Sequence, residues 1–278
     1  MTYFKDMFGR LCQSRRWVAA QFVGMLIFIL AGLAWTRLGE KHVWQVLLSL
    51  LVPLLLAISV LETQAGTARS LAGDDAKRVK LVWGAMTLLV WIAVVWVAWA
   101  LLDWCDDRFY QWAGYLNSKA SATARAKLFT YEHIYLWMTY VEWVFRWIVV
   151  PAKVIPYAMA SAQWGFRLPW RRVIRLLWNW RWWLGVTVAA LVAVALPARF
   201  FAPDPYGSVS AQIWHVSLKL AANYLLAVGS WVLLLAWEAV LFGRQKPRTD
   251  ETLALILGQT EPHSSEGTVE KPPLPERE

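Results

Sequence analysis

Apolar residues in this chain fall in long unbroken runs, and stretches rich in charge, proline or glycine separate them. A bilayer core about 30 Å thick takes roughly 20 apolar residues at a helical rise of about 1.5 Å each. Runs of that order cover about Trp17 to Thr36, Val43 to Gln64, Leu81 to Leu102, Ile134 to Pro151, Trp182 to Phe201 and Ile213 to Phe242. They predict six membrane-crossing helices, the last long enough to tilt or to project. The expected fold class is all-α: a polytopic transmembrane helical bundle over residues 1–243, followed by a tail over residues 244–278.

The polar stretches set the orientation, because loops rich in Lys and Arg resist export. Lys5, Arg10, Arg15 and Arg16 precede the first run, Arg69, Lys77, Arg78 and Lys80 follow the second, and Lys153, Arg167, Arg171, Arg172, Arg175 and Arg181 follow the fourth. The alternate stretches are poorer in cations, with Arg37 and Lys41, then Arg108, Lys119, Arg125 and Lys127, then Arg199. Both termini are therefore expected inside, in the cytoplasmic (inner) membrane. The first run also has the basic flank and the small residues Gly32 and Ala34 of a signal peptide, but its apolar stretch is longer than such peptides use.

Composition narrows the function classes. Of 278 residues, 58% are hydrophobic and 17% charged, and the mean hydropathy is +0.39, which leaves no length for a soluble catalytic domain. The formal charge of +9 lies between apolar runs and beside Trp, so lipid headgroups rather than nucleic acid are its expected counter-charge. The 21 tryptophans suit the headgroup boundary, where an apolar indole body and one N–H donor are both satisfied. Cys12 and Cys105 fall on opposite sides of this topology and are expected to be free thiols.

A faint internal repeat runs through the hairpins. Trp44-Gln45-Val46 and Trp214-His215-Val216 open the second and sixth runs, which carry Glu62 and Glu238 near their far ends. A parallel hairpin repeat, as in some transporters, would read this way, and so would any hairpin with basic and aromatic flanks.

Charge inside an apolar run is the next signal. Glu142 stands in the fourth run and needs a partner or water; Arg146, four residues on, lies on the same helical face in the favourable order. The two are expected either to line a polar path or to form a structural ion pair. Lys219, Glu238 and Glu62 sit near run ends and are expected to snorkel to headgroups.

Two connecting stretches carry further candidates. Asp103, Cys105, Asp106, Asp107, Glu132 and His133 are ligand-capable types on the expected outer side, but lack any metal-site spacing and read as a solvated acidic turn. Between them Phe109, Trp112 and Leu116 recur at helical spacing, predicting a short interfacial helix. On the inner side Pro169 is placed to start an amphipathic helix, in which Arg171, Arg172 and Arg175 alternate with apolar residues and would meet anionic lipid headgroups. The proline-rich tail is expected to be disordered, with Leu253 to Leu257 as a short segment able to dock on a partner.

There is no phosphate-binding loop, nucleophile elbow, zinc signature or nucleic-acid module, and His42, His133, His215 and His263 are scattered. No cofactor is expected. The leading expectation is a non-enzymatic accessory or structural membrane subunit that holds lipids, a membrane-protein partner or a second copy of itself. A transporter with a polar path at Glu142 and Arg146 is the first alternative. A membrane-embedded lipid-modifying enzyme, which would need Asp106, Asp107, Glu132 and His133 to converge, is the second.

Overall fold

The computed structural model describes residues 2–37, 39, 41–73, 80–122, 124, 130–200 and 208–244. Every regular element among them is helical. The α-helices are α1 (Thr2–Gln13), α2 (Arg15–Trp35), α3 (Val43–Ala72), α4 (Leu81–Lys119), α5 (Tyr131–Val144), α6 (Val150–Trp164), α7 (Trp170–Leu177), α8 (Trp180–Ala190), α9 (Leu196–Phe200) and α10 (Val209–Gly243). Lys77, Arg78, Arg125, Lys127 and the tail beyond Arg244, with its Leu253 to Leu257 segment, lie outside the described residues.

Among the described residues five helices are long and apolar enough to cross a membrane: α2, α3, α4, the segment Trp180–Arg199 and α10. Their exposure identifies the solvent they need. In α3 none of the most apolar 18-residue stretch is buried, against 56% in α10. Leu47, Leu50 and Trp96, among others, face outward, and only hydrocarbon accepts such a surface.

The expected fourth span, 134–151, is not one such helix. Its residues cross α5, a single π turn (Phe145–Val149) and the start of α6. A second π turn (Leu191–Ala195) joins α8 to α9. In the first the Val150 N–H bonds the Phe145 carbonyl, and in the second the Leu196 N–H bonds the Leu191 carbonyl. Pro151 and Pro197 follow at the same spacing. A proline ring clashes with the carbonyl four residues back, here that of Trp147 or Ala193, and the widened turn makes room for it.

Other boundaries also move. α3 runs on to Ala72, beyond the expected Gln64. α4 does not stop at Leu102 but continues to Lys119. Asp103 to Asp107 of the expected acidic turn and the separate helix at Phe109, Trp112 and Leu116 are thus parts of one long helix, while Glu132 and His133 stand at the start of α5. Residues 2–13, whose Lys5 and Arg10 supply positive charge before the first apolar run, form α1.

The buried core lies where the C-terminal parts of α3 and α10 meet α6, α1, α7 and the start of α8. It includes Ala65, Ala68, Leu71, Ala152, Ala162, Leu176, Trp182, Leu235 and Ala239. Small residues let backbones approach there. A Cβ at Gly84 would stand 2.5 Å from the Ala162 carbonyl oxygen, and one at Gly66 would overlap the Trp17 ring. α4 and the α5–α6 rod run antiparallel in one register: Thr87 donates to the Ser161 carbonyl (3.1 Å), Trp91 stacks on Tyr157, and Trp99 meets Trp147 edge-on.

Candidate functional site

Glu142 and Arg146 do pair, and a third residue joins them. The Arg146 Nε donates to Glu142 Oε1, and its Nη2 donates to Asp103 Oδ1 at 2.5 Å. The side chain of Glu142 is 12% exposed, that of Arg146 22% and that of Asp103 63%, so the cluster opens at the Asp103 edge. Asp103 is the first charged residue after the apolar run of α4. Its contact therefore places the Glu142–Arg146 pair at the end of that run instead of half-way along it. Arg146 has five N–H donors and uses two of them on these carboxylates, while each carboxylate keeps an oxygen not engaged in these bonds.

One helical turn from Asp103 toward the core, Trp99 begins an apolar groove between α3, α4, α6 and α10, with a volume of about 510 Å³. Leu88, Trp91, Val95, Val154 and Ala158 line it; Gln64 is its polar residue and already accepts from Trp231 Nε1 at 2.9 Å. The indole N–H of Trp99 is buried with no acceptor among the described residues.

The remaining acidic candidates do not assemble. Asp106 and Asp107 are exposed on α4, and His133 pairs its Nδ1 with Thr130 Oγ1 at 2.5 Å, at the start of α5. Among the described residues no group of three or more His, Cys, Asp or Glu is placed to hold a metal ion. Cys12 and Cys105 are free thiols.

On α7 the amphipathic pattern is realised by docking. Val173 and Leu176 are fully buried against the core, Arg171 and Arg175 are exposed, and Arg172 is half-buried.

The N-terminal helix builds a second charged region that the sequence did not suggest. α1 packs on α10: the Asp6 carboxylate accepts from Arg244 Nη2 at 2.5 Å, and Arg10 Nη1 donates to the Leu71 carbonyl at the end of α3 at 2.7 Å. Hydrogen bonding to Asp6 holds the Arg244 guanidinium above its ordinary pKa. Lys5, Asp6, Arg10, Gln13 and Arg244 line a cleft of about 490 Å³ between the two helices. Behind it Glu238, expected to snorkel, is instead 2% exposed, its Oε2 without a hydrogen-bond partner among the described residues and the charge of Arg10 acting on it. Glu62, its counterpart in the supposed repeat, is only half-buried. The alternation of Tyr3, Met7 and Leu11 with polar residues was the signal available for α1, and it is too short to be decisive in a sequence.

Comparison of the chain with protein families, with curated proteins and with solved structures finds no match.

Proposed function

We propose that this chain is a six-span protein of the cytoplasmic membrane, with both ends inside, that acts as a non-enzymatic accessory or structural subunit and holds lipid or a membrane partner. The sixth crossing is the α5–α6 rod, whose π turn interrupts the helix without ending it. The observation that carries the reading is the closure of Asp103, Glu142 and Arg146 on one another at the end of the α4 apolar run. One guanidinium held between two carboxylates there ties two helices together. The space next to them is an apolar groove, unsuited to conducting water or ions. Arg171 and Arg175, exposed on a helix whose other face is docked, suit anionic headgroups on the same side as the basic cleft of α1.

A cysteine at Ala158, in a Cys12→Ser, Cys105→Ser background, tests the choice between subunit and conduit. Membrane-impermeant thiol reagent added from either side is expected to leave it unlabelled in the folded protein. Labelling would reveal a wet path through the groove and overturn the proposal in favour of a transporter.

A further inference from the structure

The groove and the charged cluster adjoin each other, and together they have the form of a site for one amphiphile. From Leu88 to Trp99 the groove follows α4 for about 16 Å at a rise of about 1.5 Å per residue. Half of a hydrocarbon core of about 30 Å is one leaflet, so that length matches a single acyl chain lying along the helices. Asp103 then lies one turn beyond Trp99 on the same face of α4, and Trp147, packed edge-on against Trp99, is the neighbour of Arg146 in the chain.

The cluster selects the head. Its two carboxylates and one guanidinium carry a formal charge of −1, which disfavours a purely anionic group. Yet both kinds of charge have capacity to spare. Asp103 is open and accepts from a cation, while Arg146 retains N–H donors for an oxyanion. A headgroup with a phosphate and a free ammonium a few bonds apart answers both. Trp99, which lines the groove and packs edge-on against Trp147, closes the short distance between the apolar groove and the charged cluster.

We infer that the α4–α6 face binds one zwitterionic phospholipid of the phosphoethanolamine type, its acyl chain in the apolar groove and its ammonium at Asp103 and Glu142. The inference rests on the membrane placement proposed above and adds a specific ligand to it.

Native mass spectrometry of the purified full-length protein, offered dioleoyl phosphatidylethanolamine and dioleoyl phosphatidylglycerol in equal amounts, tests it. The wild-type chain is expected to retain one ethanolamine lipid about tenfold over the glycerol lipid. Asp103→Asn, at an exposed position that leaves the Glu142–Arg146 pair in place, is expected to bring the two near parity. Ala158→Phe fills the groove and is expected to abolish retention of both. Equal retention by the wild type, a preference that survives Asp103→Asn, or retention unaffected by Ala158→Phe would each overturn the inference. Extraction of the cell membranes with alkaline carbonate separates this failure from that of the placement. A chain that stays in the membrane but shows no preference overturns the inference alone, and a chain released by carbonate overturns both.

Discussion

Trp182 donates its indole N–H to the carbonyl of Ala152 at 2.9 Å, and both residues are fully buried. That carbonyl would ordinarily accept from the N–H four residues on, but the residue there is Pro156. Tryptophan from another helix thus replaces a hydrogen bond that proline removed. Trp182→Phe is expected to strand the carbonyl and cost about 1–3 kcal/mol. Pro156→Ala restores a local donor, so the Trp182→Phe, Pro156→Ala pair is expected to lose less than the two single changes summed, as read by thermal unfolding in detergent. Strict additivity would show that Trp182 acts by packing alone.

Glycine supplies close approach at the helix contacts of Gly84 and Gly185 as it does at Gly66. A Cβ at Gly84 would meet the Ala162 carbonyl oxygen, which also accepts from Arg69 Nε at 2.9 Å, and a Cβ at Gly185 would stand 2.6 Å from the Trp237 ring. Alanine at either position is expected to destabilise by about 1–3 kcal/mol through overpacking. Gly32, with nothing within 4 Å of an added Cβ, serves as the control. Gly32→Ala is expected to leave the melting temperature unchanged or to raise it, since glycine weakens a helix interior by about 0.5–1 kcal/mol.

The charged cluster makes a separate prediction. Arg146→Ala leaves Glu142 and Asp103 facing each other without a cation and is expected to cost about 2 kcal/mol, moderated by solvent at the Asp103 edge. Adding Glu142→Gln is expected to recover part of that loss. Arg146→Lys should recover less than the wild type, because an ammonium cannot hold two carboxylates in the planar fork of a guanidinium. Equal stability of the lysine variant and the wild type in chemical denaturation would exclude a directional role for the fork.

At the other end of the bundle, the two cations of α1 and α10 should differ in weight. The Asp6–Arg244 pair is 47% and 37% exposed at its side chains, so Asp6→Asn is expected to change stability by no more than about 1 kcal/mol. Arg10 donates to the Leu71 carbonyl at the end of α3, and its charge acts on buried Glu238. Arg10→Met is expected to be clearly destabilising and to be partly rescued by Glu238→Gln, a coupling that a double-mutant cycle measures.

The sequence made the apolar runs plain because hydrocarbon-facing helices need length and apolarity, which composition reports directly. It also paired Glu142 with Arg146, since the i, i+4 relation is local to one helix. Asp103 stayed hidden for the opposite reason. Three aspartates within five residues resemble the end of a helix, and only the register of α4 against α5 and α6 reveals that the helix continues and aims one of them at Arg146. Glu238 was misplaced in the same way: a carboxylate near the end of an apolar run snorkels if that end is open, and α1 closes it. Tryptophan suits the headgroup boundary by its chemistry, yet Trp182, Trp183, Trp231 and Trp237 donate to groups on neighbouring segments and hold helices together.

The π turn before Pro151 carries a consequence for how the Arg146 cluster can be lost without touching a charged side chain. An α-helix advances about 100° per residue, so one residue absorbed in a wider turn shifts the phase of everything beyond it by that amount. Removing Val149 alone would take out the residue that the wider turn absorbs, press the proline ring against the carbonyl four residues back, and rotate α5 by about 100° relative to α6, carrying Glu142 and Arg146 together around the axis and away from Asp103. The ion pair within the helix would survive that change while its link to α4 would not. The alignment of the three charges is therefore a property of the residue count between Arg146 and Pro151 as much as of the charged residues themselves.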